Sequence, residues 1–197
     1  MPPSPEFQPG GGAAGVVMPN HVTSTCTVVG PAEDIARFNA THFKARTDGQ
    51  PKCLDFQSVI PAPGYMSRTH SGSGEKDLLK HPANGRALSE TGHLNWYEWN
   101  TANWGTKWGA YAFERIDDAS FSFETAWSFP TPIFRRLAAD WPTLRFDVEC
   151  FDEGWCFAGM GQFNGLDNYV EVSSPQETPE ILALYERVYG HAYECEE

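Results

Sequence analysis

Two stretches of the chain alternate apolar and polar residues one for one, and this period limits the fold more than any other feature. Phe121, Phe123, Thr125, Trp127 and Phe129 alternate with Ser122, Glu124, Ala126 and Ser128; Leu144, Phe146, Val148 and Cys150 alternate with Arg145, Asp147 and Glu149. A period of two puts successive side chains on opposite faces of a pleated strand, so each stretch predicts one covered and one wet face. Antiparallel sheets read this way, whereas the strands of a buried parallel sheet read as continuous apolar runs.

Helical stripes fall between the strands. Val22 to Val29 is rich in Val and Thr and predicts a strand. Pro31 then opens a helix, with Glu33 and Asp34 in its first turn and Ile35, Phe38, His42 and Phe43 at helical spacing. Phe56 to Ile60 reads as a short second strand, stopped by Pro61-Ala62-Pro63. Trp108 to Arg115 and Ser120 to Phe129 make a hairpin. Pro130-Thr131-Pro132 starts a helix with the stripe Phe134, Leu137, Ala138 and Trp141. Asp152-Glu153-Gly154 turns the 144–150 strand into another, Trp155 to Gln162. Thr178-Pro179-Glu180 caps a last helix through Tyr189, closed by Gly190.

The order is strand, helix, strand, insertion, hairpin, helix, strand, strand, helix. It predicts an α+β fold with a ferredoxin-like split βαβ sheet, helices on one face, a long loop/helix insertion and a C-terminal helix. "Ferredoxin-like" here means topology, since the cysteines lack iron–sulfur spacing. Residues 1–17, rich in Pro, Gly and Ala, read as a flexible leader. Residues 18–165 read as the domain, with the insertion at about 64–107, and residues 166–197 as an acidic linker and helix. Within the insertion, Ser71-Gly72-Ser73-Gly74, His81-Pro82 and Asn84-Gly85 predict loops packed only at their ends, with room for one short helical turn at Leu78 and Leu79. Leu94 to Trp104 predicts a helix ended by Gly105.

Charge narrows the function classes. The 197 residues carry 26 acidic and 14 basic side chains, a net of −12, which argues against phosphate-led nucleic-acid binding. The charge is one-sided: Asp147 to Glu197 holds 12 acids and one base, Arg187. Asp147 and Glu149 share a strand face, Asp152 and Glu153 sit at its turn, and Glu171 and Glu180 follow. They form a candidate docking surface for a basic partner; the plainer alternative is a solvated face. Five cysteines without a C-x-x-C pair predict reduced thiols in a cytoplasm rather than disulfides or structural zinc. No run of 18 apolar residues offers a membrane span.

Eleven aromatics crowd the 34 residues from Trp96 to Phe129. Trp96, Trp99, Asn103, Trp104, Lys107 and Trp108 could wall a stacking pocket with one cation, or pack the insertion onto the sheet. A carboxylate pair of Glu124 with Asp147 or Glu149 is a candidate acid–base site, although such alternating residues should face water. His70, His81 and His93 match no standard metal spacing. Cys150 points with Phe146 and Val148 into the core, as an inert thiol would.

Three pieces carry a resemblance: Met18-Pro19-Asn20-His21-Val22, Asn103-Trp104-Gly105-Thr106-Lys107-Trp108 and Ala139-Asp140-Trp141-Pro142. Together they resemble the YubB-like family of plasmid and phage proteins over roughly residues 18 to 165. The resemblance implies a ferredoxin-like domain and a mobile-element setting, and it supplies no catalytic residues and no cofactor. The expected function is therefore a non-catalytic, cytoplasmic mobile-element protein that binds a host or phage protein. Its acidic surface would meet a basic one, inhibiting a defence or nucleic-acid enzyme. The alternatives are a small-molecule or single-strand binding module built on the tryptophans, and an uncharacterised hydrolase.

Overall fold

The computed structural model describes residues 20–44, 53–72, 75–166 and 168–194. The leader read at residues 1–17 and the chain end from Cys195 lie outside them. The main sheet has six strands in the order β4-β5-β1-β6-β7-β8, every neighbour antiparallel. These are β1 (His21–Val29), β4 (Tyr111–Arg115), β5 (Ser120–Ala126), β6 (Arg145–Asp152), β7 (Phe157–Phe163) and β8 (Val170–Ser173). β1 runs down the middle, with Thr25 opposite Ser122 of β5 on one side and Glu149 of β6 on the other.

Helices α1 (Ala32–His42) and α6 (Thr131–Asp140) return the chain across one face. The strand–helix–strand order is thus repeated, and the fold is ferredoxin-like. Between these helices and the sheet lies a core of rings. Phe134 of α6 stacks on Phe123 and Phe129, and Phe38 of α1 meets Phe43, Trp141 and Phe146. Each fully buried Phe contributes about 2–3 kcal/mol of transfer free energy, so this cluster supplies much of what holds the two helices down.

The even-numbered residues of β1 and β6 face that core. The odd-numbered ones, Thr25, Thr27, Asp147, Glu149 and Phe151 among them, make a second face. The C-terminal helix α7 (Pro179–Tyr189) covers half of it, packing Ile181, Leu184 and Val188 on Phe151 and Ala158. The first two helices therefore share a face as expected, and the third occupies the other.

The long excursion between α1 and β4 departs from the sequence reading. Phe56–Val59 is one helical turn, α2, and not a strand: the Asp55 carboxylate accepts from the Gln57 N–H at 3.0 Å and starts it. The extended pieces beside it are a two-residue ladder, β2 (Phe43–Lys44) with β3 (Cys53–Leu54). Residues 64–92 are not loops packed at their ends. They hold a 3₁₀ turn (Met66–Arg68) and the helices α3 (Glu75–Leu78) and α4 (Pro82–Thr91), with Tyr65, Met66 and Ala87 in the core. Asn84, read as a breaker, clamps the segment instead. Its side chain donates to the His70 carbonyl and accepts from the His70 N–H, both at 2.8 Å. α5 (Trp96–Asn103) follows, ended by Gly105 at φ 80°, where a Cβ would also collide with Pro132. β8, inside what was read as a linker, adds a sixth strand to the sheet.

Candidate functional site

The second face carries an open groove of about 600 Å³. Thr25 and Thr27 of β1 and Asp147 and Glu149 of β6 line its floor; Met160, Val170 and Val172 make an apolar side, and Ile181 and Leu184 of α7 the other. It exists because α7 covers only the half of the face where Phe151 and Ala158 give it something apolar to bury.

The predicted docking acids divide into three groups there. Asp147 is held by Arg145, Nε to Oδ1 at 2.7 Å and Nη2 to Oδ2 at 2.9 Å. Glu149 is held by Arg187 of α7, with Nε 2.9 and 3.0 Å from its two oxygens. The groove floor thus has its charge balanced locally. Asp152 is 1% exposed, which removes it from any surface. One of its oxygens accepts from the Gly154 and Cys156 N–H groups at 3.0 Å and from the Asn20 amide at 3.1 Å, fixing the β6–β7 turn. The third group is exposed. Glu153 accepts the His21 backbone N–H at 2.7 Å, Glu171 accepts the Tyr169 hydroxyl at 2.8 Å, and Glu177, Glu180 and Glu186 have no cation against them among the described residues. Its own backbone N–H, and then the Thr178 hydroxyl, hold the Glu180 carboxyl below its usual range. Unbalanced acid therefore lies on β8 and along α7, not on the groove floor.

In the tryptophan group Trp99 and Trp104 are buried, while Trp96, Asn103, Lys107 and Trp108 are half-buried. Trp99 and Trp104 are buried edge to face, and the Trp104 indole donates to the Ile60 carbonyl at 2.8 Å, tying α5 to the α2 end. Asn103 donates to the Trp99 carbonyl at 2.9 Å. Trp96 packs half-buried on the core, its N–H donating to the Thr69 hydroxyl. The Lys107 ammonium sits 4.2 Å from the Trp108 ring and 4.6 Å from that of Trp127.

Two polar clusters were not foreseen. On the second face the His21 Nδ1 lies 2.8 Å from the Tyr111 hydroxyl and 3.3 Å from Glu124, so Glu124 faces His21 rather than Asp147 or Glu149. The only signal was that His21 and Glu124 occupy wet positions of two alternating strands. Under α1, His42 is buried. The Trp141 indole can only donate, so its 3.0 Å contact makes the His42 Nε2 an acceptor. The ring proton is then on Nδ1 and donates to the Ser58 oxygen at 2.7 Å, while the Ser58 hydroxyl donates to the Asp55 carbonyl at 2.6 Å. The imidazole thus donates a hydrogen bond to the serine, the reverse of what activates a nucleophile. Cys150 is no better placed, since burial pushes its thiol up to about 12. Among the described residues no group of three His, Cys, Asp or Glu side chains could hold a metal ion, and no helix is long and apolar enough to cross a membrane.

Residues 103–190, rather less than half of the chain, match the family described as the ferredoxin-like domain in Api92-like protein. The match begins at Asn103 and runs through α7, so the C-terminal helix lies inside the similar region and not beyond it. A crystal structure of the protein Api92 from Yersinia pseudotuberculosis aligns with a TM-score of 0.39 at 13% identity. The alignment covers 65% of this chain, which spans 43% of that one. No curated protein matches.

Proposed function

We propose that this protein is a non-catalytic binding protein whose acidic C-terminal half engages a basic surface on another protein. The target would be a nucleic-acid or defence enzyme of a host cell or phage, inhibited when its phosphate-binding surface is covered, and the setting a mobile element. The carrying observation is the uneven fate of the late carboxylates. Asp147, Glu149 and Asp152 are paired or buried, while Glu171, Glu177, Glu180 and Glu186 are exposed with no cation against them among the described residues. Like charges left unbalanced in the C-terminal part of the chain raise the encounter rate with a basic surface and deter acidic partners.

The test is capture from bacterial lysate on the immobilised protein, eluted in salt steps, beside a Glu171→Lys/Glu177→Lys/Glu180→Lys variant. The wild type should retain nucleic-acid-binding proteins that leave as salt rises, and the variant should lose them. Retention indifferent to both salt and charge reversal would sink the proposal.

A further inference from the structure

The two edges of the sheet are guarded differently. At β4 the register slips between Tyr111 and Glu114, Ala112 is driven to φ 46°, and the strand ends in Glu114-Arg115. A bulge and charges are the usual devices that stop an edge from pairing with another chain. β8 has neither. It pairs only with β7, without a slip, all four of its residues are exposed, and it holds no Lys and no Pro.

Its hydrogen-bond phase can be read. The Ser174 N–H donates to the Cys156 carbonyl at 2.8 Å and the Asn168 N–H to the Gln162 carbonyl at 3.2 Å. In an antiparallel ladder bonded pairs alternate, so with Val172 opposite Ala158 and Val170 opposite Met160 the even-numbered residues bond to β7. Glu171 and Ser173 then turn their N–H and C=O groups outward, and no other described element covers them. Val170 and Val172, 61% and 47% exposed, stand beside Met160 on the groove side, while Glu171 points the opposite way.

We propose that the free edge of β8 is where the partner docks, by adding an extended segment that alternates apolar and basic residues as a seventh strand. This rests on the acidic-surface reading above and gives the partner a shape. Main-chain bonds form to Glu171 and Ser173. Apolar side chains of the segment lie beside Val170 and Val172, and basic ones beside Glu171. Charge selects against the other obvious occupant, a second copy, because pairing β8 with itself brings Glu171 near its counterpart on a chain that also carries −12.

The probe is a synthetic peptide alternating Lys and Val, with a control of identical sequence and charge whose alternate amides are N-methylated. The readouts are affinity and hydrogen-exchange protection of the full chain. The unmethylated peptide should bind about tenfold tighter than the control and slow exchange at the Glu171 and Ser173 amides, and Val170→Lys/Val172→Lys should abolish that protection. If the two peptides bind equally and those amides stay unprotected, the strand pairing is wrong while the acidic-surface reading stands. Failure of both peptides to bind at low salt overturns both. Protection of the same amides in the protein alone, rising with its concentration and with dimer mass in sedimentation, makes the occupant a second copy and overturns the proposal.

Discussion

Lowering the pH should loosen the His42 network at a calculable rate. His42 closes α1, 4% exposed, between Ser58 of α2 and Trp141 after α6. Burial, helped by the charge on Lys44 and opposed by Asp140, lowers its pKa from 6.5 to about 4. In the unfolded chain the ring titrates at about 6.5. Between those values the unfolded state binds a proton that the folded state refuses. The stability held by neutral His42 is therefore complete above the unfolded value and falls as pH drops toward the folded one. The loss is about 1.4 kcal/mol per pH unit, at most about 3 kcal/mol over the window, against a total near 5–15 kcal/mol for a domain. The assay is urea unfolding followed by tryptophan fluorescence, for the wild type and His42→Gln. Gln does not titrate, and the carboxylates that protonate in both proteins cancel in the comparison. Wild type should lead at neutral pH, and its lead should shrink by about 2 kcal/mol on reaching pH 5. A constant difference would refute the reasoning, as would an NMR titration of His42 centred near 6.5 or a proton found on Nε2.

Asp152→Ala strips the acceptor shared by Gly154, Cys156 and Asn20 and should cost about 2–3 kcal/mol; a loss within about 0.5 kcal/mol would mark Asp152 as an ordinary surface acid. Gly159→Ala would drive a methyl group into the Tyr169 hydroxyl and against the Cys150 sulfur, costing about 1–3 kcal/mol. Adding Tyr169→Phe should restore part of that, and an unchanged melting temperature for Gly159→Ala alone would show that the site can relax.

What the sequence made legible follows from repetition. β5, β6 and α6 each carry several turns or pleats of a clean period, and their positions agree with the structure to within a few residues. α7 adds Thr178 and Gly190 at its ends. The misreadings come where the pattern is too short to have a period. Phe56 and Val59 fit a strand or a single helical turn equally, and the deciding residue was Asp55, whose carboxylate caps the turn. α4 was hidden by Asn84-Gly85, yet Pro82 at its first position and Gly92, at φ 76° just past its end, are stronger punctuation than a mid-helix Gly. β8 is exposed on both faces and has no core side to betray it.

The acidic half shows why composition reached a surface but not a site. A count of carboxylates cannot distinguish one that neutralises an arginine 38 residues away, as Glu149 does with Arg187, from one that fixes a turn, as Asp152 does. Both are tertiary facts. Arg187 reaches Glu149 because Ile181, Leu184 and Val188 seat α7 on Phe151, and Asp152 is buried because the β6–β7 turn closes over it beside Asn20. Folding thus consumes the acids nearest the sheet centre and leaves those at the β8 end exposed, where the sheet also leaves its backbone unpaired. The coincidence of unbalanced charge with an unpaired edge arises from the topology: the strand outside the repeated unit has, among the described residues, no further strand to pair with.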